Sequence, residues 1–443
     1  MATRLIRNCS ILEVPESGEC RVVGGRDILV RDGEIAEVAA TGTTASADEV
    51  IDASGLLAMP GLTNSHTHSP MVMMRGAAED VSVADWFNAR VWPMEVNLTP
   101  ARVKVGARLA CAEMLLGGVT TFVDHYFHAD QIAAAAVELG IRADIAPTFF
   151  SSSGPEGREA AFAVVDEINA GGSPRVRASL GPHSTYTVSE DDLVRTAEHA
   201  TANGLRVHLH AAENMDQTRS SLDRLGVTPV EVLRRTGLLD AGVLIAHGCG
   251  ITAADIPVLA GYAETAVACC PKVYLKHALD PITPVRALRE AGVAVGAGTD
   301  GAAGHNTLDV WEALRLVAMM TKFSEHDATC LSLSDTLRLA LRGGAAAAGL
   351  AGVTGALEPG YRADVVLVDL SGPHCRPLHE PMAALVYSVR ASDVVTVLVD
   401  GEVVVRDRRL VTADLDEILT EADAIAAALV DTSSGRAVQH YAP

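Results

Sequence analysis

Eight short, nearly continuous apolar runs, each followed by a segment of helical periodicity, constrain this chain more than any other feature. Such runs are what parallel strands buried on both faces look like, because neither side of the strand meets water. They read LLAMPGLTNSHTH (56–68), TTFVDHY (120–126), IRADIAPTFF (141–150), VRASLGPHS (176–184), LRVHLHAAE (205–213), VLIAHGCG (243–250), TAVACCP (265–271) and VAVGAGTDG (293–301). Between them, RVKVGARLACAEMLLGG and DDLVRTAEHATANG repeat with helical spacing and end near glycine. Eight alternations over roughly 290 residues match a (β/α)8 TIM-type barrel, whose catalytic groups sit at the C-terminal strand ends. An open doubly wound sheet would want a GxGxxG turn after an early strand, and none is present.

Both ends of the chain carry a different grammar. ILVRDGEIAEV (28–38) predicts a hairpin through Asp32 and Gly33, and VVTVLVDGEVVVRD (394–407) a second one through Asp400 and Gly401. ADVVLVDL (363–370) adds a further strand. Neither terminal piece can enclose a core alone, so the two are expected to meet in one small β-sandwich. The expected layout is therefore α/β: a sandwich from 1–58 and 355–414, a catalytic barrel over 59–354, and a helix and tail over 415–443, the helix from about Leu415 to Leu429.

Composition narrows the function classes. With 443 residues, 49% of them hydrophobic, the chain has the makings of a globular enzyme. A formal charge of -21 and the absence of any Lys/Arg run exclude a nucleic acid polymer or an anionic membrane as the expected partner. The eight cysteines (Cys9, Cys20, Cys111, Cys249, Cys269, Cys270, Cys330, Cys375) lack CxxC spacing and read as reduced, buried thiols. No secretory h-region and no bilayer-length apolar run occur, so a cytoplasmic location is expected.

Polar residues gather at the predicted strand ends: His66 and His68 on the first, His183 on the fourth, His210 and Glu213 on the fifth, His247 on the sixth and Asp300 on the eighth. Alternate residues of a strand share a face, so His66 and His68 can aim together into the barrel mouth. Neutral imidazoles with one carboxylate suit zinc. An HxH pair alone is weak support for a metal; four further polar strand ends in barrel order strengthen it. Glu213 can equally cap the helix that follows it, and Glu95 can belong to a solvated helix. Trp86 and Trp92 can wall a pocket or fill core. His125 and His128, after the second strand, read as a partly exposed loop or as pocket lining.

PGLTNSHTH, HLHAAE, AHGCG and GTDGAAGHNTLD resemble the amidohydrolase superfamily along nearly the whole chain. Within it, NSHTHSPMVMMRG, DWFNARVWPMEVNL, GPHSTYTVS and GTDGAAGHNTLD resemble the 5'-methylthioadenosine/S-adenosylhomocysteine deaminases. That resemblance implies one divalent ion, zinc first with Fe2+ or Mn2+ also compatible, on His66, His68, His210 and Asp300. It implies His247 beside the activated water, Glu213 as proton shuttle, His183 near the substrate, and Glu95 on the ribose hydroxyls. The implied reaction is hydrolytic deamination of an adenine nucleoside by a metal-activated hydroxide, in a homo-oligomer (dimer or tetramer). Guanine or other purine and pterin deamination and triazine hydrolysis use the same machinery and stay open. The chain departs from the family in two places. ACCPKVYLKHA after the seventh strand stands where the family reads His-Asn-Pro, and no arginine follows Arg142 where the family holds an amino-acid carboxylate. Both departures bear on the substrate and leave the reaction class intact.

Overall fold

The computed structural model describes residues 3–44 and 46–442. Its centre is a ring of parallel strands: β6 (Leu62–Thr67), β7 (Val119–Tyr126), β8 (Arg142–Phe149), β9 (Val176–Ala178) with β10 (Gly181–Pro182), β11 (Val207–Ala211), β12 (Val243–His247), β13 (Ala266–Cys269) and β14 (Ala294–Ala297). Continuous ladders run from β6 to the β9/β10 strand and from β11 to β14. Two seams close the ring. At one, Leu180 N–H donates to Arg206 and His208 N–H returns to Leu180, each at 2.9 Å. At the other, Thr299 and Asp300 both donate their N–H to the carbonyl of His66, at 3.1 and 2.9 Å.

The fourth strand is interrupted where the sequence predicts one run. Both halves keep one register against β8, Ala143 opposite Val176 and Thr148 opposite Gly181, while Leu180 between them pairs with Val207 of β11, and Pro182 has no N–H to give a ladder. Inside the ring, Val123, Leu244, Ala266 and Ala268 pack with Ala347 and Ala348, filling the interior with small side chains. Surrounding helices follow the periodicity read above; one spans Pro100–Leu116, and another spans Glu190–Asn203, capped by Ser189 and ended by left-handed Gly204.

The terminal strands unite in one hydrogen-bonded sheet of nine: β1 (Arg4–Glu13), β2 (Arg21–Arg31), β3 (Glu34–Ala40), β4 (Glu49–Asp52), β5 (Leu57–Pro60), β15 (Val365–Val368), β16 (Val394–Val399), β17 (Glu402–Arg406) and β18 (Arg409–Leu410). β5 joins the halves, parallel to β1 and antiparallel to β15. Ile6, Ile11, Ile28, Val30, Val365 and Leu398 enclose a core of its own. The two termini are joined in this one continuous hydrogen-bonded ladder. Both hairpins turn through left-handed Asp-Gly pairs, Asp32–Gly33 and Asp400–Gly401. The helix Leu415–Leu429 closes the chain, and no helix among the described residues is long and apolar enough to cross a membrane.

Arg142 ties sheet to barrel. It opens β8, at the end of the barrel remote from the strand C-termini, and donates to Asp364 at 3.2 Å and to Asp400 at 2.5 Å, all three side chains being buried. Asp400 is also bound by Arg175 at 3.0 Å and Arg362 at 2.6 Å. Burial alone would raise the Asp400 carboxyl; Arg142 and Arg362 hold it below its ordinary value. Removing one partner of a buried ion network leaves charge unpaired in low dielectric. Arg142→Met is therefore expected to lower unfolding stability by about 3 kcal/mol, read as a shifted denaturant midpoint, while the surviving folded protein keeps its turnover rate.

Candidate metal centre and active site

Each polar strand end sits where backbone pairing puts it. His66 lies on β6, and the carbonyl that closes the barrel is its own. His210 lies on β11, and the carbonyl of His183 accepts both its N–H, at 3.0 Å, and its ring Nδ1–H, at 2.9 Å. His247 ends β12 and Asp300 follows β14, both with positive φ (75° and 59°), a strained backbone that only surrounding structure can hold. Gly298 makes the approach possible: a Cβ there would meet the His66 nitrogen at 2.9 Å and its carbonyl at 3.0 Å.

The side chains converge. His68 Nε2 lies 3.2 Å from Asp300 Oδ1 and 3.3 Å from His210 Nε2, and His66 Nε2 lies 3.5 Å from Asp300 Oδ1. Donor atoms of His66, His210 and His247 also lie within 4.8 Å of one another. The His247 ring stacks on His210 at 5.4 Å.

The far nitrogens settle which way each ring presents its lone pair. His68 Nδ1–H donates to the His125 carbonyl at 2.5 Å, as His210 Nδ1–H does to His183, so both Nε2 atoms point unprotonated at the cluster in the neutral rings. His66 Nε2 is buried without a hydrogen-bond partner, and its Nδ1 lies 2.9 Å from His208 Nε2. Facing lone pairs beside a carboxylate fit a cation bound between them. Electrostatics agree. Burial holds His66 and His210 below their ordinary pKa, and His247 down at about 3. Burial also opposes charge on His68, yet Asp300 raises it to about 9. Asp300, which burial would raise, is kept well below the carboxylate range by His66 and His68. Apart from His68, the cluster thus offers neutral imidazoles beside an ionised carboxylate.

Around the cluster opens a cleft of about 750 Å³. Glu213 lines it, on the turn between β11 and the helix Met215–Leu225, and accepts from Gln217 Nε2 at 2.6 Å; burial pushes its carboxyl up to about 7. Its neighbour Asn214, not Glu213, caps the helix. Glu95 lines the same cleft from the short helix Trp92–Glu95, and burial, opposed by Tyr126, takes its carboxyl to about 7 as well. The solvated-helix reading of Glu95 is thus overturned: it is 5% exposed. His183 lines the cleft with Nδ1 held by Thr187 Oγ1 at 2.8 Å, and burial lowers it to about 3. Trp86 and Trp92 belong to the wall, with Phe87 and Phe150.

His125 is buried on β7 and lines the cleft, the second of its two readings, and its ring carries a donor within 4.8 Å of those of His68 and His210. Tyr274 lines the cleft, whereas Cys269 and Cys270 beside it are buried and outside the lining. His208 went unread, although the period of two in HLH places it on the same face as His210.

A family model described as the amidohydrolase family matches residues 57–404. The chain belongs to the amidohydrolase family. It is 36% identical to a 5-methylthioadenosine/S-adenosylhomocysteine deaminase of Pelotomaculum thermopropionicum, over 97% of this chain and 100% of the relative. To the enzyme of the same name from Natronomonas pharaonis it is 38% identical, over 92% and 95%. Among solved structures, an adenosine deaminase from Xanthomonas campestris with bound zinc superposes with a TM-score of 0.91 at 30% identity, over 96% of this chain and 98% of that one. An atrazine chlorohydrolase from Arthrobacter aurescens TC1 complexed with zinc gives 0.86 at 26%, over 96% and 100%. Amidohydrolase neighbours thus bind zinc, and this amidohydrolase has a histidine cluster able to hold a metal.

Among the described residues, His208 is the side chain paired with His66 Nδ1, at 2.9 Å, where His68 and His210 rely on carbonyls. Outer partners of metal-binding histidines are commonly worth 10- to 100-fold in affinity, about 1.4 to 2.7 kcal/mol. His208→Ala is expected to weaken metal retention by roughly that factor, measured by competition with a chromophoric chelator; undiminished retention would remove His208 from the site.

Proposed function

We propose that this amidohydrolase deaminates an adenine nucleoside, giving the inosine analogue and ammonia, with one divalent ion, zinc, held by His66, His68, His210 and Asp300. The observation carrying the reading is a protonatable Glu213 in the same cleft as that donor set. Full-length similarity to named deaminases supports it. A metal held there supplies Lewis acidity, which makes water nucleophilic near neutral pH.

The residues divide the remaining work. His247 orients the attacking water, and Asp300 takes its proton. Protonated Glu213 donates to ring N1, which makes C6 electrophilic; water oxygen bonds to C6. The hydroxyl now on C6 gives its remaining proton to the ionised Glu213, which passes it to the amino group, so the C6–N bond breaks with ammonia, not amide ion, leaving and C6=O remaining; the proton held by Asp300 then restores Glu213. His183 contacts the substrate beside the metal cluster, and Glu95 accepts from the ribose hydroxyls. The chemistry separates three carboxyls by environment: Asp300 ionised by its histidines, Glu213 and Glu95 poised near neutrality by burial. The same reading takes the terminal sheet, 1–58 and 355–414, as a companion domain to the barrel, 59–354, with 415–443 as helix and tail, and the protein as a cytoplasmic homo-oligomer.

The cleft also ranks substrates. No lysine or arginine is among the described residues lining it, and Arg142 is spent on Asp364 and Asp400 at the other end of the barrel. An amino-acid carboxylate would enter without a cation to meet it. Adenosine, 5'-deoxyadenosine and 5'-methylthioadenosine are accordingly expected to exceed S-adenosylhomocysteine in kcat/KM. If Glu95 grips the diol, 2'-deoxyadenosine loses kcat/KM in the wild type and the penalty shrinks in Glu95→Ala. Ammonia release across these compounds, guanine and a chlorotriazine checks the ranking; exclusive turnover of guanine or the triazine would redirect the assignment.

Glu213→Gln is expected to retain metal and lose on the order of 100- to 10,000-fold in kcat. The acid form is required, so kcat/KM of the wild type falls as pH rises through the Glu213 value near 7 and the proton is lost. A pH profile flat to well above 8, or a fully active glutamine variant, would return Glu213 to a structural role.

A further inference from the structure

The chain beyond the helix Leu415–Leu429 takes no part in the chemistry above, yet its end is anchored. From Asp431 to Ala437 it lies exposed on the surface. At Tyr441 it turns inward, and that residue is only 7% exposed. The anchoring is specific. Asn97 Nδ2 donates to the carbonyls of Leu429 and Asp431, at 3.0 and 2.6 Å, where the strap begins. Val438 N–H donates to the Trp92 carbonyl at 3.2 Å. Asn88 grips Tyr441 in both directions, accepting its N–H at 2.8 Å and donating to its carbonyl at 3.2 Å. The Tyr441 ring stacks on Phe87 at 4.7 Å with planes 10° apart. Its hydroxyl accepts from Asn214 Nδ2 at 3.2 Å.

These contacts join two walls of the cleft. One is the excursion after β6, where Val83–Asp85, a π-helical turn Trp86–Val91 and Trp92–Glu95 follow one another. It carries Trp86, Phe87, Trp92 and Glu95 to the cleft. A succession of single turns with a π-bulge has little stability of its own and takes its shape from tertiary packing. The other wall is the turn that carries Glu213, immediately before Asn214. Tyr441 spans the gap, with Phe87 on its face and Asn214 on its hydroxyl.

We propose that Tyr441 is a positioning residue, clamping the Trp86–Glu95 excursion against the Glu213 turn and thereby holding the substrate-binding form of the cleft. The identity of the substrate rests on the nucleoside reading; the clamp itself does not. Without the ring, the excursion samples displaced arrangements, and apparent affinity falls by the fraction of molecules still competent to bind. Chemistry in the bound, closed state is spared.

Tyr441→Ala and Asn88→Ala test this, the second undocking the strap without touching the cleft lining. Both are expected to raise KM for adenosine about tenfold while kcat stays within about twofold and metal content is unchanged. Tyr441→Phe, which keeps the stack on Phe87 but loses the bond from Asn214, recovers only part of the lost KM. Backbone hydrogen exchange supplies the readout that needs no substrate: protection over 83–95 falls in both alanine variants, persists in Tyr441→Phe, and the barrel strands stay as protected as before. Unchanged exchange over 83–95 in both alanine variants overturns the clamp, as does a parallel loss of kcat, metal and barrel protection, which marks a plain packing residue. Should the wild type turn over no adenine nucleoside, the functional reading fails and the exchange data alone decide the clamp.

Discussion

The carbonyl of His66 accepts two N–H groups from the turn after β14, and on that pair of bonds both the barrel and its chemistry depend. They close the last strand onto the first, and they carry Asp300 to within 3.5 Å of His66 Nε2. Gly298 permits the contact, and Asn64, donating to Thr299 at 2.8 Å and accepting from it at 3.0 Å, braces it from the side. The opposite seam works in the same manner, because the His183 carbonyl that pairs with β11 also sets the His210 tautomer. Folding of the barrel and assembly of the donor set are one event. A loop-built site would need separate ordering of each side chain, at about 1 to 2 kcal/mol per backbone residue fixed.

Burial then does what sequence identity alone cannot. Several imidazoles crowded at the mouth of the barrel would repel one another as cations; desolvation keeps His210, His247, His125 and His183 neutral and leaves their lone pairs free. The same desolvation raises Glu213 and Glu95, while histidine neighbours spare Asp300. Carboxyls of one chemical type thus acquire opposite protonation habits within a single cleft.

How much of this was legible in the sequence follows from which features are local. Strand ends could be read because doubly buried strands leave continuous apolar runs, and the polar residue that stops each run is the one at the mouth. Asp-Gly hairpins and the closing helix are equally local. The split of β9 from β10 was hidden because it depends on Leu180 pairing with β11, a partner more than twenty residues along the chain. Glu95 and His125 could not be placed because their burial is conferred by distant segments: Glu95 is buried beside Tyr126 of β7, and His125 stands on a strand whose inward face needed the whole ring to define it. His208 was within reach, since HLH repeats the alternation that drew attention to His66 and His68. The bond from His208 to His66 crosses 142 residues of chain, and nothing in either motif announces it.

Chemistry and selectivity occupy different kinds of structure here. The donor set and Glu213 stand on barrel strands or the first residues beyond them, where a shift of one residue would break ladder pairing. Most of the wall against which a substrate packs is carried by excursions: Val83–Glu95 with Trp86, Phe87 and Trp92, and the segment after β13 with Val273, Tyr274 and Leu279. These excursions bear no ladder and can change length or shape at little cost to the ring. A zinc-bound adenosine deaminase and a zinc-bound atrazine chlorohydrolase each superpose over 96% of this chain, so one fold serves differently named reactions. Among the described residues lining the cleft there is no lysine or arginine, so on the proposed reading selectivity falls to apolar shape and to Glu95 more than to charge pairing.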